Sequence, residues 1–162
     1  MEALITQLAE QVVKRLTERG ATLSTAESCT GGLIAAAVTE VPGASRVFRY
    51  GWVTYCNAAK VQLLHVPTEL IEQYSVVSEP VVKAMADSAR AQAGADYALA
   101  VSGNAGPTAP VGEPPVGTVC IALAAPGGTC SSTIIRPGLS RRDFRLMVAR
   151  EALQLLINKI YN

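Results

Sequence analysis

Ala21-Thr22-Leu23-Ser24-Thr25-Ala26-Glu27-Ser28-Cys29-Thr30-Gly31-Gly32-Leu33-Ile34-Ala35-Ala36-Ala37 carries the change of register on which the fold turns. Ala21–Ala26 has the look of a short strand, and Leu33–Glu40 is rich in alanine and aliphatics, as a helix is. The six residues between them leave no room for a linker, so Glu27–Gly32 reads as a strand-to-helix turn. A serine at the head of such a turn is a candidate for chemistry. Free N–H groups at a helix start, with the positive end of its dipole, can stabilise an oxyanion or bind a phosphate, and Gly31 and Gly32 let a ligand approach the backbone closely. The plain alternative is a hydroxyl that caps a helix.

Outward from that turn the chain keeps alternating. Leu4, Ile5, Leu8, Val12 and Leu16 recur at helical spacing over residues 3–19 and stop at Gly20. Val41-Pro42-Gly43-Ala44-Ser45 ends the second helix, and Arg46–Tyr55 reads as an aromatic and β-branched strand passing into a helix near Asn57-Ala58-Ala59-Lys60. Ser78-Glu79-Pro80 opens a further helix that Gly94 closes. Tyr97–Ser102, Val116–Ala124 and Thr129–Ile135 are strands, the last two joined by a hairpin at Pro126-Gly127-Gly128. The final helix starts at Ser140, with Asp143 in the position of a capping box. The expected architecture is a three-layer α/β/α fold, a mixed sheet flanked by helices, in one domain over residues 1–162. Gly103–Pro115, crowded with glycine and proline, fits neither element and reads as a binding loop.

Composition narrows the function. At 162 residues the chain suits one domain, and 49% hydrophobic against 17% charged residues argues against disorder. A formal charge of +1 gives no electrostatic case for nucleic acid or an anionic membrane, so a small-molecule partner is expected. Met1–Gln7 has no basic region ahead of an apolar core, and no run reaches the ~18 apolar residues of a span. A cytoplasmic location follows as the expectation. Cys29, Cys56, Cys120 and Cys130 are spaced neither as paired zinc ligands nor as a disulfide framework, and His65 is the only histidine. A multi-histidine metal site is therefore excluded, and a Ser-His-Asp triad would have to pass through His65, which reads as structural.

The base for Ser28 is sought instead in Tyr55 and Lys60. A buried lysine loses its proton readily enough to take one from serine, and a tyrosine can relay or orient that proton. Their plain alternatives are a core aromatic and a solvated helix charge. The Tyr-to-Lys spacing is one residue longer than in short-chain dehydrogenases and no Gly-x-Gly-x-x-Gly follows the first strand, so hydride transfer is rejected. Cys29 is a rival nucleophile ranked below Ser28, since no histidine stands ready to partner it. Arg141, Arg142 and Arg145 cluster at the start of the last helix, where cations oppose the dipole and suggest a phosphate grip or a solvated face.

Taken together, Thr25-Ala26-Glu27-Ser28-Cys29-Thr30-Gly31-Gly32, Gly51-x-Val53-x-Tyr55-x-Asn57-x-x-Lys60, Val77-Ser78-Glu79, Gly94-Ala95-Asp96, Ala105-Gly106-Pro107 and Pro115-Val116-Gly117-Thr118-Val119 closely resemble the CinA C-terminal domain family over almost the whole chain. Stand-alone members are similar to nicotinamide mononucleotide deamidases, which release ammonia to give nicotinate mononucleotide in pyridine nucleotide salvage. The resemblance implies Ser28 as nucleophile, Lys60 as base and Tyr55 assisting, with Thr30, Gly31 and Gly32 as the oxyanion site. Asn57, Gly103, Asn104 and Arg141 become candidate substrate contacts. It also implies a homodimer, no cofactor and no metal. Two segments depart from the family pattern. Gly103-Asn104-Ala105-Gly106-Pro107-Thr108-Ala109-Pro110 stands where Gly-Ile-Ala-Gly-Pro-x-Gly-Gly is usual, and Leu139-Ser140-Arg141 replaces Gly-Asp-Arg. A catalytically weak or silent paralogue that binds a nucleotide is the alternative these departures raise.

Overall fold

The computed structural model describes residues 1–161. Helix α1 (Glu2–Arg19) buries Ile5, Leu8, Val12 and Leu16 and ends where Gly20, at φ 63°, turns its N–H back to Leu16 and Thr17 carbonyls. Strand β1 (Leu23–Glu27) begins two residues later than the sequence suggests. Ala21 N–H is spent on Leu16 O, and Thr22 N–H donates to Asp96 Oδ2 at 2.8 Å, so neither amide joins the ladder. Helix α2 (Leu33–Thr39), a 3-10 turn (Ala44–Arg46) and strand β2 (Phe48–Val53) follow.

Next come α3 (Asn57–Leu64), α4 (Thr68–Tyr74) and α5 (Glu79–Ala93). Of these α4 has no counterpart in the sequence reading. It fully buries no residue and leans only Leu70 and Ile71 against its neighbours, so it shows no apolar stripe to read. Helix α5 is capped as expected, Ser78 Oγ accepting from Val81 N–H, with Gly94 in the left-handed conformation at its end. Strands β3 (Tyr97–Gly103), β4 (Thr118–Ala125) and β5 (Gly128–Ile135) lead to α6 (Arg141–Ile160), whose cap is Ser140 Oγ accepting from Asp143 N–H.

The sheet order is β2-β1-β3-β4-β5. β1 runs parallel to β2 and β3, whereas β4 is antiparallel to β3 and β5, so the sheet is mixed. Alternation sorts its two faces by size. Leu99, Val101, Val119, Ile121 and Leu123 meet α1, α2 and α6, while Ala98, Ala100, Cys120, Ala122 and Ala124 meet α5. Large side chains supply most of the burial, worth ~1.5–3 kcal/mol for each fully buried Leu, Ile or Val. Small ones let α5 lie close to the sheet, where Ser24 Oγ on β1 donates to Ala89 O on α5. Among the described residues no helix is long and apolar enough to cross a membrane.

Candidate active site

Three chain segments leave the carboxyl ends of adjacent parallel strands at one place: Ser28 after β1, Thr54-Tyr55 after β2, and Ser102-Gly103 at the end of β3. Crevices of this kind are where open α/β sheets hold their ligands. A cleft of about 280 Å³ lies there, lined by Ser28, Cys29, Tyr55, Asn57, Lys60 and Arg141 and by the 102–110 segment. A larger surface hollow of about 710 Å³ between α1 and α2 is lined by Ile5, Leu33, Ala36, Leu146 and the carboxylates Glu2 and Glu40, and includes neither Ser28 nor Lys60.

Backbone bonds fix Ser28 before any side chain does. Its N–H donates to Val101 O at 3.2 Å, tying it to β3, and its carbonyl accepts from Gly31 N–H at 3.0 Å, closing the turn. Gly31 sits at φ 61°, a conformation that favours glycine. The Ser28 hydroxyl then faces Lys60 Nζ at 2.9 Å.

Lys60 reaches it from the first turns of α3. Lys60 is only 1% exposed, and burial lowers its pKa to about 8. Thr54 O at 2.7 Å and Tyr55 O at 3.4 Å also accept from Nζ, and among the described residues no carboxylate pairs with it. A neutral lysine has two N–H donors and one lone pair. Giving the donors to the two carbonyls leaves the lone pair for the Ser28 proton, so the unprotonated amine fits this cage fully. Cys29 is placed differently: burial, and next the Glu27 charge, push its thiol up to about 12. It is therefore no reactive thiolate.

The other sequence candidates divide. Asn57, Gly103, Asn104 and Arg141 all line the cleft. Asn104 is held by its Nδ2 donating to Pro114 O at 2.6 Å, and a Cβ at Gly103 would come within 2.9 Å of Thr118 O and Val119. Tyr55 lines the cleft too, but its hydroxyl accepts from Arg141 Nη2 at 2.7 Å, and only its backbone carbonyl touches Lys60. The tyrosine thus braces an arginine rather than reaching the Ser28 proton. Arg141 Nη1 also donates to Gly106 O at 2.6 Å, which ties the loop to α6.

Thr30, Gly31 and Gly32 do not line the cleft, and Glu27 holds the start of α2 from within. Its carboxylate takes the start of α2 for itself: Oε1 accepts from Thr30 Oγ1 at 2.6 Å and Ile34 N–H at 2.9 Å, and Oε2 from Ala35 N–H at 3.0 Å. The Ile34 and Ala35 amides are thereby occupied from within the protein, and the Gly31 amide is spent on Ser28 O. The arginine cluster is likewise dispersed. Arg142 pairs with Glu2 on the surface, and Arg145 donates to the carbonyls of Cys29 and Thr30. His65 is an exposed helix C-cap and is not among the residues that line the cleft.

Ser102 and Val76 line the cleft without having been singled out in the sequence, beside Val77 of the Val77-Ser78-Glu79 motif. Ser102 Oγ donates to Val76 O at 3.0 Å, joining the two segments. In the sequence Ser102 merely ends an apolar run, and only its place at a strand end beside β1 marks it. Among the described residues no three His, Cys, Asp or Glu side chains converge in a metal-holding arrangement.

The family model for the CinA C-terminal domain matches residues 5–160. A CinA-like protein of Akkermansia muciniphila is 49% identical over 151 residues, covering 93% of this chain and 36% of that protein. A putative competence-damage inducible protein of Symbiobacterium thermophilum is 59% identical over 120 residues, 74% of this chain and 28% of that one. The chain thus spans about a third of the length of the curated relatives it matches. Among solved structures, the competence/damage inducible protein CihA from Agrobacterium tumefaciens superposes with a TM-score of 0.93 at 39% identity, covering 98% of this chain and 96% of that one. The competence damage-inducible protein A (ComA) from Klebsiella pneumoniae gives 0.94 at 36% identity, covering 98% of both.

Proposed function

Because the chain belongs to the CinA C-terminal domain family, we propose that it is an amidohydrolase that converts nicotinamide mononucleotide to nicotinate mononucleotide and ammonia through Ser28, without a metal ion. The observation that carries the reading is the 2.9 Å contact between Ser28 Oγ and a buried lysine amine that no carboxylate neutralises. In this scheme neutral Lys60 takes the Ser28 proton while Oγ attacks the carboxamide carbon. The cationic pyridinium ring makes that carbon electrophilic. Protonated Lys60 then gives the proton to the leaving nitrogen, the C–N bond breaks and ammonia departs from an acyl-serine. Water, relieved of a proton by Lys60, hydrolyses that ester and frees the carboxylate.

With the Gly31 amide spent on Ser28 O and the α2 amides on Glu27, the amide of Cys29 is the candidate oxyanion donor, since that residue lines the cleft directly beside the nucleophile. Arg141 is the candidate phosphate contact, and Asn57, Gly103 and Asn104 shape the rest of the cleft. The same reading takes the chain to work as a homodimer in the cytoplasm, in pyridine nucleotide salvage.

A second reading, a nucleotide-binding paralogue without turnover, draws on the cleft's size. Its volume of about 280 Å³ is at the bottom of the ~300–1,000 Å³ range of ligand pockets, and Pro110 walls it where the family pattern carries glycine. Ammonia release on incubation with nicotinamide mononucleotide separates the two. Release supports the amidohydrolase, and binding without release supports the paralogue.

A further inference from the structure

The turn that carries Ser28 is held by two charged side chains that never enter the cleft. From α6, Arg145 Nε donates to Cys29 O at 3.0 Å and its Nη2 to Thr30 O at 2.8 Å, so one guanidinium spans two consecutive carbonyls. From the opposite end of the turn, Glu27 collects the Thr30 hydroxyl and the Ile34 and Ala35 amides. Among the described residues neither makes an ion pair within 4.0 Å, and neither lines the cleft. Each charge is therefore answered by peptide groups of the turn and the helix start it leads into. Carbonyls end on the guanidinium, amides and a hydroxyl on the carboxylate. Rotating any of these peptides breaks a charge-assisted bond, and such bonds are about twice as strong as neutral ones. Gly31 completes the turn at a φ of 61°, a conformation that side chains rarely adopt.

We propose that Arg145 is a positioning residue for the nucleophile, its fork locking the Cys29 and Thr30 peptides so that Ser28 Oγ stays on Lys60 Nζ, with Glu27 as the opposing clamp. This rests on the reading of Ser28 as nucleophile, and it assigns Arg145 no contact with substrate. The guanidinium acts by geometry rather than by its field on the base. Burial lowers the Lys60 pKa against the opposing pull of Cys56 and Cys29, and Arg145 is not among the causes.

The test uses the full chain and phenylmethylsulfonyl fluoride, which needs no nucleotide site. Ser28 Oγ attacks sulfur, the S–F bond breaks, fluoride leaves and the serine proton passes to Lys60. Intact mass and peptide mapping follow the rate from pH 6 to pH 10 in the wild type, Arg145→Ala and Arg145→Lys. The expected result is wild-type labelling that rises through a midpoint near 8. Arg145→Ala should keep that midpoint with a plateau lower by roughly tenfold or more, as small misplacement of reacting groups costs. Sub-denaturing guanidinium should restore part of it, and Arg145→Lys, reaching one carbonyl, should fall between. If the alanine variant does not fold, the lysine variant decides by the same midpoint and plateau. An unchanged plateau, a loss explained wholly by a moved midpoint, or a loss that disappears on cooling the variant below its melting range overturns the positioning role. A wild type whose Ser28 is never labelled overturns the nucleophile reading itself, and this proposal with it.

Discussion

Lys60 Nζ lies 2.9 Å from Ser28 Oγ although 32 positions separate the two residues in the chain. The sheet accounts for the meeting. β1 and β2 are neighbours in parallel register, so the segment after β2 that starts α3 returns beside the turn after β1. A lysine on the first turns of that helix is almost wholly buried, and its proton becomes easy to remove.

Activity should follow that proton. The folded pKa is about 8 against an ordinary 10.5, so the base is mostly charged at pH 6.5 and mostly neutral at pH 9.5. A profile of kcat/KM against pH should rise through about 8. Arg in place of Lys60 keeps a charge that cannot be shed, and Lys60→Arg should be inactive throughout. A pH-independent rate, or a working arginine variant, would remove Lys60 from the proton path.

The same shift has a consequence for stability. A lysine whose pKa is lowered on folding binds its proton more weakly in the native state. Its contribution is therefore unfavourable below pH 8 and the penalty fades as pH climbs from about 8 to 10.5. At full extent it amounts to ~3 kcal/mol. Denaturant melts of wild type and Lys60→Met should show the wild type gaining on the variant between pH 7 and pH 10. A constant difference would mean that the folded protein holds the amine's proton as tightly as the unfolded chain does, and that burial does not lower its pKa.

Tyr55 and Arg141 should affect binding more than chemistry. Because the tyrosine hydroxyl accepts from Arg141 Nη2 and stays off Ser28 and Lys60, Tyr55→Phe should raise KM several-fold with kcat little changed. Arg141→Ala should weaken the nucleotide by roughly 2–4 kcal/mol and leave the dephosphorylated riboside nearly untouched. Steady-state kinetics on both substrates checks this, and a Tyr55→Phe variant that loses kcat alone would return the tyrosine to the proton relay.

Gly103 should tolerate no side chain. Its would-be Cβ meets the Thr118 carbonyl and Val119 at 2.9 Å, both on the neighbouring strand. Gly103→Ala must push β3 from β4 at the cleft, costing ~1–3 kcal/mol by overpacking. Thermal melts should show the loss, and a variant as stable as the wild type would mean that the strand end yields without cost.

The strand-turn-helix at Ser28 and the caps at Ser78 and Ser140 were legible because each is a local signal: a change of hydrophobic period, or a hydroxyl three residues before its amide. Glu27 was not. A carboxylate before a serine shows no sign that it will occupy the amides of Ile34 and Ala35, seven and eight positions on. That choice depends on β1 burying the side chain rather than exposing it. The three arginines at the start of α6 read alike in sequence, yet one meets the loop, one meets Glu2 and one holds the Ser28 turn. Their partners come from distant segments, so only the assembled fold assigns them.

The most direct test compares ammonia and nicotinate mononucleotide release by wild type, Cys29→Ala and Ser28→Ala, with folding confirmed by circular dichroism. Losing the Ser28 hydroxyl should cost the fold no more than ~1–2 kcal/mol. The expected result is equimolar product from the wild type, most of that rate from Cys29→Ala, and none from Ser28→Ala. Turnover that survives in Ser28→Ala and is lost in Cys29→Ala, or a wild type that binds the nucleotide and releases no ammonia, would contradict a serine amidohydrolase.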